Sequence, residues 1–178
     1  GQAFPRLNEK YEGLEFHIVG NCDKEQSEEL SKLSEYATNM HIHSTMPQNK
    51  LADLMRSMDI FVLPSYYEGL GLVNIEALAC GMRVVTTPIE GLIYLLGEKI
   101  NAGLIKYVRL PRLYDVDKAV EEDKPKFIKD LVKEISSQIE SIKSKETASE
   151  EIMEMIREHS WEGIVHKVDS DIKRLANA

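Results

Sequence analysis

Short apolar runs alternate along the first two thirds of the chain with longer stretches whose apolar residues recur at helical spacing. The run DIFVLPS is the strongest of the short ones and ends beside a proline. Apolar strands that alternate with helices are typical of a parallel sheet with both faces covered. We therefore predict an α/β fold with strands at residues 14–20, 40–44, 59–65, 83–88 and 104–110, and helices near 24–38, 48–58, 72–80 and 90–98.

After about residue 114 the pattern becomes helical. One apolar stripe at helical spacing comprises Phe127, Ile128, Leu131, Val132, Ile135, Ile139 and Ile142. Acidic residues offset the lysines of this segment, so we expect a helix docked on the protein's own body rather than on a membrane surface. Ser160 is the expected N-cap of a last helix. We divide the single domain, 1–178, into an α/β part, 1–114, and C-terminal helices, 115–178.

Composition and charge exclude several classes of function. The 178 residues suffice for one domain with a sizeable core, and the net charge of −8 argues against a nucleic-acid partner. No apolar run approaches the roughly 18 residues of a transmembrane segment, and the start does not resemble a signal peptide. Cys22 and Cys80 form no metal or redox motif and suit reduced thiols. We predict a cytoplasmic protein and leave open peripheral attachment of the full-length protein to the inner face of a membrane.

Candidate chemistry concentrates in PSYYEGLGLVNIEALACGMRVVTTP, residues 64–88, where a strand is expected to end and a helix to begin. Ligands of open α/β sheets bind at such strand ends. Gly69 and Gly71 would admit a ligand close to the backbone, and the first helical turn would favour phosphate. Glu68 and Glu76 would accept hydrogen bonds from hydroxyl groups at two parts of that ligand. A nucleotide-sugar fits, although an ordinary turn with surface glutamates explains the same residues.

The run FVLPSYYEGLGLVNIEALACGMRVVTTPIEGL resembles the signature of the family-4 retaining glycosyltransferases, in the donor half of their GT-B architecture. The resemblance extends from FHIVGN to SWEGIVHK and is densest between residues 59 and 91. Its most specific element is the Glu-x7-Glu motif, which Glu68 and Glu76 match. The resemblance implies a Rossmann-like sheet and the transfer of a sugar, with retention, from a nucleotide-sugar to a sugar or lipid-linked acceptor in glycan or polysaccharide synthesis.

The resemblance also implies roles for individual residues. Glu68 is the catalytic position and would position and electrostatically assist the transferred sugar rather than attack it. Glu76 would bind the ribose. The full set of implied donor-binding residues is Gly20, Asn21, Thr45, Met46, Pro47, Gly69, Leu70, Gly71, Leu72 and Glu76. No obligatory metal is implied, and UDP is favoured only by the habit of the family. His41 and His43 face one side of a predicted strand but have no third ligand nearby in sequence, so we interpret them as a strand end.

Two departures from the family pattern qualify this expectation. The family's first strand and its basic GR…K segment are absent, and Arg6 and Lys10 lie on the wrong side of what resembles the end of the first helix. The N-terminal acceptor-binding domain is absent too. We therefore expect a donor-half fragment that is inactive alone, in which the neighbours of the missing strand either pair directly or have the gap between them filled by another chain. A non-catalytic nucleotide-sugar binding module and, less favoured, a GT-B nucleotide-sugar epimerase remain alternatives.

Overall fold

The computed structural model describes residues 2–21, 28, 30–32, 39–94, 103–144, 150–158 and 161–176. All five predicted strands are present, each inside its predicted range. They are β1 (Phe16–Val19), β2 (Met40–His43), β3 (Ile60–Leu63), β4 (Arg83–Thr86) and β5 (Ile105–Tyr107). The α/β class and the parallel arrangement of the strands are confirmed.

The five strands form two separate parallel groups. β1 pairs with β2, and β3, β4 and β5 pair in that order. Within the described ranges no strand pairing joins β1 to β3, so each of these strands has one open edge. Direct pairing of β1 with β3, one of the two arrangements expected above, is not observed among the described residues.

The helices largely follow the predicted pattern. They are α1 (Phe4–Lys10), α2 (Gln48–Arg56), α3 (Leu72–Ala79), α4 (Lys124–Lys143), α5 (Glu150–Glu158) and α6 (Trp161–Ala176). Residues 90–94 are helical as predicted, and so are residue 28 and residues 30–32 of the predicted helix 24–38. The described residues do not include the rest of that helix, Cys22, the end of helix 90–98 or the predicted N-cap Ser160. Helix α5 was not predicted.

The start of the helical part needs a correction. An antiparallel hairpin of β6 (Leu113–Asp115) and β7 (Lys118–Ala119) comes first, followed by a 3-10 turn at Glu121–Asp123. The hairpin is tied to the turn by the Arg112 guanidinium, which donates to both carboxylate oxygens of Asp123 at 2.8 and 2.9 Å. These hydrogen bonds lower the pKa of Asp123 to about 2. The C-terminal helices therefore begin at Lys124 rather than at 115.

The core is organised around β4, whose four residues are all buried. Val84 belongs to an apolar cluster with residues of α3 and α5, including Ile75, Leu78 and Ile156. Val85, on the other face, joins a cluster built by α1 and α4, with Leu7, Tyr11, Phe127, Leu131, Ile135 and Ile139. The predicted stripe of α4 thus packs on the sheet, as expected of a helix docked on the body. Among the described residues, no helix combines the length and apolar character needed to cross a bilayer.

A buried polar network fixes α4 across two strands. Gln138 is fully buried, and its Nε2 donates to the backbone oxygens of Val84 and Leu104 at 3.3 and 3.1 Å. Its Oε1 accepts from Arg83 Nη1 at 3.2 Å, and the same nitrogen donates to Gly103 O at 2.8 Å. Because a buried polar group is stable only when it is hydrogen-bonded, this network sets the position of α4 along the sheet.

We expect Gln138→Ala to lower the free energy of unfolding by about 2 kcal/mol, because it removes three hydrogen bonds and leaves the buried Arg83 with fewer acceptors. Urea denaturation followed by circular dichroism measures the change. Lys129→Ala, at an exposed position of the same helix, is the matched control and should change stability by less than about 0.5 kcal/mol. Equal stability of the two variants would show that the network does not hold the helix.

Candidate functional site

The candidate site lies at the carboxyl ends of the strands, in the loop between β3 and α3. Gly71 is the N-cap of α3 and has a left-handed backbone, with φ 61° and ψ 46°. A Cβ atom there would stand 2.7 Å from Asn74 Nδ2 and 2.8 Å from Ile89 Cδ1. A Cβ on Gly69 would meet nothing within 4 Å, and Gly69 is exposed. Gly71 is therefore required by the fold, whereas Gly69 leaves open space beside the loop.

Asn74 holds the start of α3 and was missed by the sequence analysis. Its side chain is fully buried, and Nδ2 donates to the Gly71 carbonyl at 3.0 Å. The backbone N–H of Asn74 donates to the same carbonyl at 2.9 Å. Asn74 Oδ1 is buried without a hydrogen-bond partner among the described residues. The sequence feature that could have identified Asn74 is a polar residue on the apolar face of a predicted helix. Such a residue often makes a polar contact with the backbone.

Glu68 lies on the exposed part of the loop, beside Ser65. Ser65 Oγ donates to Glu68 Oε1 at 3.3 Å. The loop is anchored to the end of β4, because Thr87 Oγ1 donates to the Ser65 carbonyl at 2.6 Å and Thr86 Oγ1 to the Leu63 carbonyl at 3.0 Å. The carboxylate of Glu68 therefore projects from a loop whose base is fixed to the central strand, and Ser65 orients it.

Glu76, one turn into α3, contacts the first residue of α2. Gln48 Nε2 donates to Glu76 Oε1 at 3.1 Å. Since Gln48 directly follows Thr45, Met46 and Pro47, this hydrogen bond brings the predicted base-binding turn beside the predicted ribose-binding glutamate. Gln48 was not among the predicted site residues, although its place in the chain next to that turn was visible in the sequence.

The remaining predicted residues meet at the ends of β1 and β2. The Gly20 N–H donates to the His43 carbonyl at 3.1 Å, which extends the pairing of the two strands. Asn21 lies beside Thr45, whose Oγ1 is 3.4 Å from Asn21 Oδ1. Met46 and Pro47 continue the same turn, and Pro47 is the N-cap of α2. The structure thus groups Gly20 and Asn21 with the turn at 45–47, and Gln48 connects this group to Glu76.

The two tyrosines of the loop separate into different environments. Tyr66 packs edge-on against Phe127 with ring centroids 5.4 Å apart, so it belongs to the core. Tyr67 is 70% exposed, and the predicted donor-binding Leu70 and Leu72 are also exposed. The site therefore offers an aromatic ring and apolar surface beside two carboxylates.

Besides the two carboxylates, two helix N-termini contribute polar groups to the site. Neither α2 nor α3 has a side-chain cap at its N-terminus, so first-turn N–H groups are available to a ligand. The positive end of the helix dipole at α3 favours an anion there. Residues 64–72 contain no lysine or arginine. The arrangement can hold phosphate by backbone N–H groups and hydroxyl groups by Glu68 and Glu76.

Comparison with known proteins defines the class. A solved structure of sucrose-phosphate synthase from Thermosynechococcus elongatus superposes with a TM-score of 0.66 at 18% identity, covering 99% of this chain and 42% of that one. The fold is therefore that of a GT-B glycosyltransferase domain. The family model described as glycosyl transferases group 1 matches residues 2–111. The chain belongs to this family, as the sequence resemblance indicated.

Curated relatives match part of the chain. D-inositol 3-phosphate glycosyltransferase 2 of Catenulispora acidiphila is 38% identical over 110 residues, which are 58% of this chain and 26% of that protein. Alpha-maltose-1-phosphate synthase of Mycolicibacterium smegmatis is 29% identical over 85 residues, 47% of this chain and 22% of that protein. The match thus spans about a quarter of the length of these relatives.

The two glycines of the loop should respond differently to an added methyl group. We expect Gly71→Ala to destabilise the protein by about 1 to 3 kcal/mol, because its backbone is left-handed and the new Cβ would clash with Asn74 and Ile89. Gly69→Ala is the matched control and should change stability by less than about 0.5 kcal/mol. Urea unfolding of both variants measures the difference. A Gly71→Ala protein as stable as Gly69→Ala would contradict the assigned backbone constraint.

Proposed function

We propose that this chain is the donor-binding part of a retaining glycosyltransferase, which transfers a sugar from a nucleoside diphosphate sugar to a sugar or lipid-linked acceptor in glycan or polysaccharide synthesis. The observation that carries the proposal is the placement of Glu68 and Glu76 on either side of the uncapped, glycine-initiated N-terminus of α3. UDP is the favoured nucleotide by family habit. A cytoplasmic location belongs to the proposal and rests on the sequence.

The proposed binding mode follows the chemistry of each part of the donor. The diphosphate lies at the N-terminus of α3, near the backbone of residues 69–72, where N–H groups and the helix dipole favour negative charge. The ribose hydroxyls donate to Glu76, which Gln48 holds in place. The base lies along the turn at 45–47, with Gly20 and Asn21 at the wall of the cleft. This order matches the order of the groups in a nucleotide-sugar.

The proposed catalytic step needs charge stabilisation more than a nucleophile from the protein. The bond between the anomeric carbon and the diphosphate breaks, and the diphosphate leaves with the electron pair. The acceptor oxygen bonds to that carbon and passes its proton to the leaving diphosphate oxygen. The N-terminus of α3 stabilises the leaving diphosphate. Glu68, oriented by Ser65, accepts hydrogen bonds from sugar hydroxyls and so positions the anomeric carbon.

The absence of lysine and arginine from residues 64–72 favours a second candidate function. Two cations beside a diphosphate contribute on the order of several kcal/mol of binding in a partly dry cleft. A protein that relies on helix N-termini alone would bind a nucleotide-sugar weakly and without turnover. This non-catalytic binding module uses the same residues, and a measurement of transfer by the complete polypeptide separates it from the enzyme.

Nucleotide binding should depend on Glu76. In the complete polypeptide, we expect Glu76→Ala to weaken the binding of UDP and UDP-glucose by about 10- to 100-fold, because hydrogen bonds between ribose hydroxyls and a carboxylate are lost. Calorimetric titration with UDP, ADP, GDP and UDP-glucose measures this loss and identifies the base.

The control for the titration is Glu12→Ala, which removes an exposed carboxylate from the turn after α1 and should leave the dissociation constants unchanged. Unaltered nucleotide binding by Glu76→Ala, or failure of the wild-type polypeptide to bind any of the four nucleotides, would refute the proposed donor site.

Substitution of Glu68 should separate binding from transfer. We expect Glu68→Gln to lower kcat for sugar transfer by about 100-fold while the dissociation constant for UDP changes less than about twofold, since Glu68 contacts the sugar and not the nucleotide. Radiolabelled donor with product chromatography measures transfer. Full transfer activity in Glu68→Gln would refute its catalytic role. Tight UDP binding without transfer by the wild type would instead favour the non-catalytic module.

A further inference from the structure

A cluster of histidines lies on the two-stranded sheet, where His17 and His41 are near the amino ends of β1 and β2 and His43 is the last residue of β2. Three of the five histidines of the chain are in β1 and β2. His17 and His41 are register partners, with ring centroids 4.6 Å apart. His43 stacks on His17 at 5.2 Å. Side chains two residues apart, or aligned on neighbouring strands, point to the same face of a sheet, so one face carries all three rings.

A carboxylate completes the cluster. Glu15 Oε2 lies 3.5 Å from His17 Nε2. One ligand atom from each of Glu15, His17 and His41 lies within 4.8 Å of the other two. No third ligand lies near His41 and His43 in the sequence, which is why the sequence alone indicates an ordinary strand end there. Glu15 and His17 lie 24 or more positions before His41 in the chain, and the pairing of β1 with β2 brings them beside it. Only the register of this strand pair reveals the cluster.

The hydrogen bond between His17 and His43 prepares His17 as a ligand. His17 Nδ1 and His43 Nε2 are 3.0 Å apart, and one of these nitrogens must carry the shared proton. In the tautomer where His17 Nδ1 donates, His17 Nε2 keeps its lone pair and faces Glu15. Histidines that bind metals typically donate their other ring N–H to a fixed acceptor, which orients the ring and raises its basicity.

We propose that Glu15, His17 and His41 bind Zn²⁺ or a divalent metal ion with similar ligand preferences, with His43 as the positioning residue for His17. Two imidazoles and a carboxylate are a ligand set that Zn²⁺ takes, with water in the fourth position. A tetrahedral ion needs ligand atoms about 3.4 Å apart. Glu15 and His41 are exposed, so rotation of their side chains can close the present spread of up to 4.8 Å.

The consequence of metal binding is structural. The ion would join β1 to β2 through side chains, in a strand pair that has no partner on the side of β3 among the described residues. A ligand that binds only the folded state stabilises it in proportion to the logarithm of its concentration. This inference does not depend on the donor site, because none of its residues takes part in the proposed binding of the nucleotide-sugar.

Calorimetric titration of the untagged polypeptide with Zn²⁺ alone tests the proposal. We expect one ion per chain, and a binding constant reduced about 100-fold in Glu15→Gln and in His41→Gln and about 10-fold in His43→Gln. His166→Gln is the control, since His166 is exposed on α6, and it should bind like the wild type. A wild type that binds no Zn²⁺, or a His41→Gln variant that binds as tightly, would overturn the site.

A second measurement separates loss of a ligand from loss of folding. Co²⁺ replaces Zn²⁺ in such sites, and its visible absorption reports the number and type of ligands. In the wild type and in His166→Gln, we expect the visible spectrum of Co²⁺ bound by fewer ligands than in the hydrated ion. In His41→Gln, we expect the spectrum of the hydrated ion. The far-UV circular dichroism should be the same in all three proteins. A hydrated-ion spectrum in the wild type would overturn the proposal.

Discussion

The burial of β4 on both faces is the constraint on which the rest of the structure depends. Val84 and Val85 are fully buried on opposite sides of the sheet, so helices must cover both. Helix α4 covers one face and is held along the strands by Gln138, while α3 covers the other. The next residues, Thr86 and Thr87, donate hydrogen bonds to the carbonyls of Leu63, the last residue of β3, and of Ser65 in the loop that follows. The position of Glu68 is therefore set by the most buried strand of the molecule.

The candidate donor site draws on both strand groups. Asn21 and Thr45 come just after β1 and β2 of the two-stranded group. Glu68 and Glu76 come after β3 of the three-stranded group. Helix α2 connects the two, because it starts after β2 and its first residue, Gln48, contacts Glu76. Among the described residues no pairing joins β1 to β3, so there the spacing of the two halves of the site rests on helix packing and on this contact rather than on a continuous sheet.

Features that arise from local pattern were predicted well, and features that need a tertiary partner were not. The five strands followed from apolar runs, because strands buried on both faces contain few polar residues. The hairpin at 113–119 was missed because its residues, including Tyr114 and Val116, are mostly exposed and carry no alternation toward a core. Sequence could not separate Gly69 from Gly71, whose difference lies in backbone angle and neighbours. Ser65, Gln48 and Asn74 likewise acquire their contacts only in the folded chain.

The two ends of the β1–β2 pair suit opposite chemistries. At the carboxyl ends, N-termini of helices present N–H groups and positive dipoles, which favour phosphate. Toward the amino end, Glu15, His17 and His41 present lone pairs, which favour a cation. Only about 10 Å of extended strand separates the ligand His17 from Gly20, which is close to the Debye length of about 8 Å at physiological ionic strength. Screening therefore weakens the direct electrostatic effect of a bound cation on a diphosphate, and coupling between the two sites can also pass through the order of β1 and β2 themselves.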